Sequence, residues 1–126
     1  MADQALHRTI GRPLNKPFSI FDLKESLKDL KAEPPLDREG RNAIILHKEP
    51  AFKVLLVAVR RGCSFPPHKT AAPMMLHVIE GALSVNSSLN DARLRAGELL
   101  TIHSGVVHEI RAVEDASFLL TLGSES

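Results

Sequence analysis

The rhythm of apolar and polar positions changes once along this chain. Between Phe18 and Pro35, leucines at 23, 27 and 30 recur at spacings of four and three, with Ile20 one turn before Leu23. That spacing predicts one apolar stripe on a helix. Lys24, Lys28 and Lys31 fall on the other side. Asp22 and Glu25 have capping-box spacing, so Asp22 is a candidate N-cap and Ser19 the competing start. Pro34-Pro35 ends the element, because proline cannot continue a helix interior. A helix of about three turns is marginal alone. It must lay its leucines on something, and the expected place is a lid over one open end of the domain.

From Arg41 the period becomes two. RNAIILHK and FKVLLVAVRR are separated by the turn signal Glu49-Pro50. In the second, Phe52, Val54, Leu56 and Ala58 share one face, and Leu55, Val57 and Val59 share the other. Both faces are apolar, and the same holds for PMMLHVIE and SFLLTL. A sheet with one solvated face would show cleaner alternation. One face therefore lines an interior, and the other meets a neighbouring element or a second subunit. A homodimer is expected on that basis.

Further strands are expected at Ala82 to Asn86, Ala92 to Arg95, Glu98 to Ile102, Val107 to Val113 and Ser117 to Leu122. About eight short strands, with turns every 8 to 12 residues or so, predict an all-β sandwich or barrel. Residues 1–17 are punctuated by Gly11, Pro13 and Pro17 and read as an irregular arm. The expected division is residues 1–40 as arm and amphipathic helix packed on the barrel, and residues 41–126 as the barrel.

Composition narrows the roles. With 16 basic and 15 acidic side chains, the net charge of +1 gives no electrostatic footprint for nucleic acid or an anionic membrane. Trp and Tyr are absent, which argues against an aromatic stacking platform. No apolar run nears the roughly 20 residues that span a bilayer. The start, MADQALHRTIGRP, lacks the apolar core of a secretory signal. Cys63 is the single cysteine, so no disulfide forms within the chain. A reducing cytoplasm is the expected location.

Chemistry concentrates between Gly62 and His108. GCSFPPHKTAAPMMLHVIEG and GELLTIHSGVVH are strand-like pieces closed by glycine turns, each with histidines beside the turns. Bringing His68 and His108 together would make one polar spot in an apolar interior. These pieces resemble the two motifs of the cupin superfamily, small double-stranded β-helix or jelly-roll barrels. Gly62, His68 and Gly81 match the first motif, and Gly97, Gly105 and His108 the second. The resemblance covers residues 41–123 and is nearest to small single-domain bacterial cupins of the RmlC-like kind. It implies an all-β cupin barrel with a short N-terminal helix.

The resemblance also implies a metal held by three His and one Glu. Here Thr70 stands where the second His belongs and Met74 where the Glu belongs. His103 replaces the usual Pro, and Ala112 the usual Asn. Two imidazoles alone would bind Fe, Zn, Mn or Ni weakly, because a catalytic metal normally has at least three protein ligands. His103, at a strand end near the barrel mouth, is the better candidate to complete the shell. His77 is the other, although alternation puts it on the opposite face from Met74. Two functions follow. One is a small-molecule-binding pocket in which Thr70, Met74, Leu76, Val78 and Ile110 line a mostly apolar space and His68 and His108 fix orientation. The other is a metal-dependent enzyme, dioxygenase- or isomerase-like, using His68, His108 and either His103 or His77.

Overall fold

A computed structural model describes residues 8–9, 17–69 and 72–124, with side chains at all of these except 8–9 and 66–69. In chain order the elements are β1 (Arg8–Thr9), α1 (Leu23–Ala32), α2 (Pro34–Glu39), β2 (Arg41–Lys48), β3 (Phe52–Val59), β4 (Ser64–Lys69), β5 (Met74–Glu80), β6 (Ala82–Ser87), β7 (Asp91–Arg95), β8 (Leu99–Ile102), β9 (Val107–Ala112) and β10 (Ala116–Gly123). They form two sheets. The larger has the order β1-β2-β3-β10-β5-β8, the smaller β4-β9-β6-β7. Pairing is antiparallel throughout except between β1 and β2.

The strands expected from β2 onward are present, with two additions, β1 and β4. β4 runs through Pro66-Pro67, which cannot donate to a ladder. It survives because it is an edge strand bonded only to β9, and its register skips between Phe65 and His68.

Side chains sort into two apolar clusters, one on each face of the larger sheet. The inner one takes Ile45, Leu55, Val57, Met74, Leu76, Val78 and Phe118 from that sheet, and Leu83, Val85, Leu94 and Ile110 from the smaller. The outer one joins Leu27, Leu30 and Leu36 to Ile44, Leu46, Leu56 and Ala58. The helices thus cover the outer face of the larger sheet. They do not cap an open end, as the sequence suggested, because β2 and β3 present an apolar stripe outward. That stripe gives the two-faced strands a cover from within the chain.

Asp22 is the N-cap of α1, accepting a hydrogen bond from the Glu25 amide at 3.1 Å. Ile20 lies outside the helix and is 88% exposed. Pro34-Pro35 does end α1, but the chain continues at once into a second short helix. Proline costs nothing in a first helical turn, where its missing N–H would have no partner. Leu36 is buried, and Gly40 closes α2 with φ 82 and its amide bonded to the Leu36 carbonyl.

Asn42 is fully buried and fastens β2 to the end of α1. Its Nδ2 donates to the Leu30 carbonyl at 3.0 Å and to Glu33 Oε1 at 2.8 Å, while its Oδ1 accepts from the Ala43 amide. One carbonyl left over at the helix C-terminus is thereby satisfied. Farther along, Lys31 pairs with Glu80 at 2.5 Å, and the Ser117 hydroxyl donates to the same carboxylate. These two contacts, Lys31 first, hold the Glu80 carboxyl below its ordinary range.

Three outcomes follow. Asn42→Ala should destabilise the fold by about 1–3 kcal/mol, read from urea denaturation, because the Leu30 carbonyl stays buried without its donor. A Cβ at Gly81 (φ 78) would sit 2.1 Å from the Asp115 carbonyl oxygen, whereas one at Gly97 (φ 90) meets nothing within 4 Å. Gly97→Ala should cost about 1–2 kcal/mol of left-handed strain, and Gly81→Ala clearly more, since backbone must move as well. Because the folded-state pKa of Glu80 is depressed, its contribution is complete above the unfolded value, near 4.5, and fades as pH falls through the lower folded value. Melting temperatures of wild type and Glu80→Gln should therefore differ slightly at neutrality and converge in acid.

Candidate functional site

The interior wall made by β9 alternates cleanly. Val107 and Arg111 are exposed and Glu109 half-buried, while His108, Ile110 and Ala112 are buried. His108 is thus the polar member of an apolar row, at 2% exposure. Its Nδ1 lies 3.0 Å from the Val106 carbonyl oxygen. A carbonyl can only accept, so Nδ1 carries the proton and, in the neutral ring, Nε2 carries the lone pair. A local backbone contact thereby fixes both tautomer and ring orientation.

The register sets His68 of β4 directly opposite His108, with Ser87 of β6 opposite on the other side. Two histidines forty residues apart in sequence become neighbours in the ladder because β4 and β9 pair antiparallel. Met74, Leu76, Val78 and Ile110 all belong to the inner cluster. Thr70 lies outside the described residues.

Among the described residues, the other histidines do not join this group. His77 is exposed on the outer face of β5, opposite Leu99 on one side and Leu119 on the other. Alternation decides that, since Met74, Leu76 and Val78 take the inner positions. His103 is exposed just past the end of β8. His47 is hydrogen-bonded to Glu49 and stacked on Phe52 with centroids 5.0 Å apart. Among the described residues no three His, Cys, Asp or Glu side chains gather to hold a metal ion.

Phe65 and Arg41 were not picked out from the sequence. Phe65 meets Phe118 edge-on, with centroids 6.3 Å apart, and the Arg41 guanidinium lies 5.1 Å over the Phe65 ring. Together they close the interior beside β4. The available signal was an aromatic just before Pro66-Pro67, in a strand masked by those prolines.

No family model matches the chain, and no curated protein matches it by sequence. Solved structures do match. A cupin-2 domain protein from Shewanella frigidimarina superposes with TM-score 0.67 at 19% identity, over 82% of this chain and 94% of that one. A conserved Streptococcus pyogenes protein of unknown function, SPY1581, gives TM-score 0.72 at 15% identity, over 92% and 95%. This chain has the cupin fold. Salicylate 1,2-dioxygenase from Pseudoaminobacter salicylatoxidans also gives TM-score 0.72 at 15% identity, over 82% of this chain and 34% of that enzyme.

In this cupin-fold chain, Met74 stands where the resemblance implies a carboxylate. Met74 is buried in the inner cluster, paired with Ile102 and Leu122 across the ladder. Thioether sulfur is a soft donor that suits Cu(I) better than Fe(II), Zn(II) or Mn(II). A thioether at that position does not supply the carboxylate oxygen that a hard divalent ion favours. Long-range 15N–1H correlation spectra of the neutral His108 ring should place its proton on Nδ1. The opposite tautomer would break the link to Val106.

Proposed function

We propose that this cupin-fold protein binds a small, mostly apolar molecule inside the barrel, with His68 and His108 fixing its orientation. The observation that supports the reading best is the buried His108 ring, held in one tautomer within an apolar wall. Met74, Leu76, Val78 and Ile110 would supply apolar contact, and the imidazoles the few polar contacts that set specificity. A second reading is a metal-dependent enzyme, with the dioxygenase among the structural neighbours in its favour. It needs Fe, Zn, Mn or Ni held by His68, His108 and a third group.

A homodimer is part of the same proposal, on narrower ground than the sequence offered. α1 and α2 take up part of the outer sheet face, but Met75 and Leu99 remain 43% and 59% exposed there.

Protein purified without an affinity tag should carry Fe, Zn, Mn and Ni well below one equivalent by elemental analysis. A screen of small apolar molecules with one hydrogen-bonding group should yield a compound that raises the melting temperature. At a hundredfold excess over Kd the stabilisation is about 2.7 kcal/mol. His108→Leu should abolish it while leaving the far-ultraviolet circular dichroism unchanged. One equivalent of metal, lost in that variant, would favour the enzyme instead. Sedimentation velocity should give a dimer that Met75→Asp or Leu99→Asp dissociates.

A further inference from the structure

A crevice lies where the helices meet the larger sheet. It encloses about 120 Å3 and is lined by Lys31, Leu36, Ala58, Val59, Arg60, Glu80, Asp115 and Ala116. Leu36, Ala58, Val59 and Ala116 make an apolar floor. Around it stand two cations and two anions, drawn from α1, the residue after β3, β5 and the turn before β10.

The four charged groups pair with one another, yet each keeps hydrogen-bonding capacity. Glu80 Oε1 takes both Lys31 and Ser117, and Oε2 makes no hydrogen bond among the described residues. Asp115 Oδ1 is held by the Arg61 amide at 2.8 Å, but Oδ2 has only a long contact to Arg60 Nη1, at 3.3 Å. The firmer bond of Arg60 is from Nη2 to Asp37, at 2.8 Å. Lys31 has two further N–H donors beyond its bond to Glu80. Glu80 and Asp115 are both held below the usual carboxylate range, Glu80 mainly by Lys31 and Asp115 mainly by the Arg61 amide. Both carboxylates are therefore ionised at neutral pH, and the contacts with Asp37 and Asp115 favour the charged form of Arg60. Exposed ion pairs of this kind contribute little on their own, so a ligand can loosen them without disturbing the fold.

We propose that this crevice binds a small zwitterion of the α-amino acid class with a short apolar side chain. Its ammonium sits between Glu80 Oε2 and Asp115 Oδ2, and its carboxylate meets Arg60 Nη1 and Lys31 Nζ. The side chain rests on Ala58 and Leu36. The volume suits a molecule of about six non-hydrogen atoms, since a roughly 150 Å3 cavity takes up benzene. This site is separate from the His108 wall and does not depend on any role for it.

The test is a 15N–1H titration of the whole chain with L-alanine, following the amides of Ala58, Val59, Glu80 and Ala116. Saturable shifts in the millimolar range are expected there. Propionate, without the ammonium, and ethylamine, without the carboxylate, should each bind at least about tenfold more weakly. Asp115→Asn keeps an acceptor for the Arg61 amide and should weaken L-alanine by a similar factor. The absence of saturable shifts would overturn the proposal. So would equal binding of propionate or ethylamine, shifts confined to His108 and Ile110, or a folded Asp115→Asn variant that binds unchanged. The comparison of the three ligands on the wild-type protein stands even if the variant fails to fold.

Discussion

At β2 and β3 the larger sheet has to be dry on both faces, and the rest of the molecule is arranged around that requirement. Along β3, Leu55, Val57 and Val59 enter the barrel while Leu56 and Ala58 point the other way. Two apolar sides need two covers. The smaller sheet supplies one and the helical pair the other. Burying each of Leu27, Leu30 and Leu36 is worth about 1.5–3 kcal/mol. An ion pair as exposed as Lys31–Glu80 adds at most about 1 kcal/mol. The helices are therefore held by their leucines. The polar contacts, Asn42 foremost, decide where along the sheet those leucines come to rest.

The smaller sheet follows the opposite rule, with one wet face and one dry face. Arg93, Arg95 and Arg111 stand on exposed positions, while Leu83, Leu94 and Ile110 turn inward. In such a sheet a polar residue at an inward position needs a local partner. His108 finds one in a carbonyl two residues away. The contact is short-range, so forming it requires nothing of the distant strands, and the ring reaches the interior already oriented.

How far the sequence could be read depended on the length of each signal. The alternation in RNAIILHK, FKVLLVAVRR and PMMLHVIE persists over enough residues to mark strands and their faces, and the glycine spacing carried the barrel type. Asp22 as N-cap and the outward turn of His77 followed from local rules alone. Other features turned on tertiary context. Pro34-Pro35 reads equally as the end of one helix and the first turn of the next, and only burial of Leu36 decides. Pro66-Pro67 argues against a strand until β4 proves to be at an edge. The site of helix docking depended on Ile44, Leu46 and Leu56 presenting a receiving surface, which periodicity can suggest but not locate. His103 stands at the strand end where the sequence placed it, but one residue past the last ladder pair, where it is exposed.

Met74 sets a barrier in sequence space. A glutamate there would arrive among Ile102, Leu122 and the other apolar groups of the inner cluster. A lone carboxylate in such surroundings loses its hydration with nothing in return and would take up a proton to survive. It becomes tolerable only if a cation and further ligands come with it. Restoring a four-ligand cage is therefore cooperative: the first substitution toward it lowers stability, and the benefit appears only when the last donor is in place.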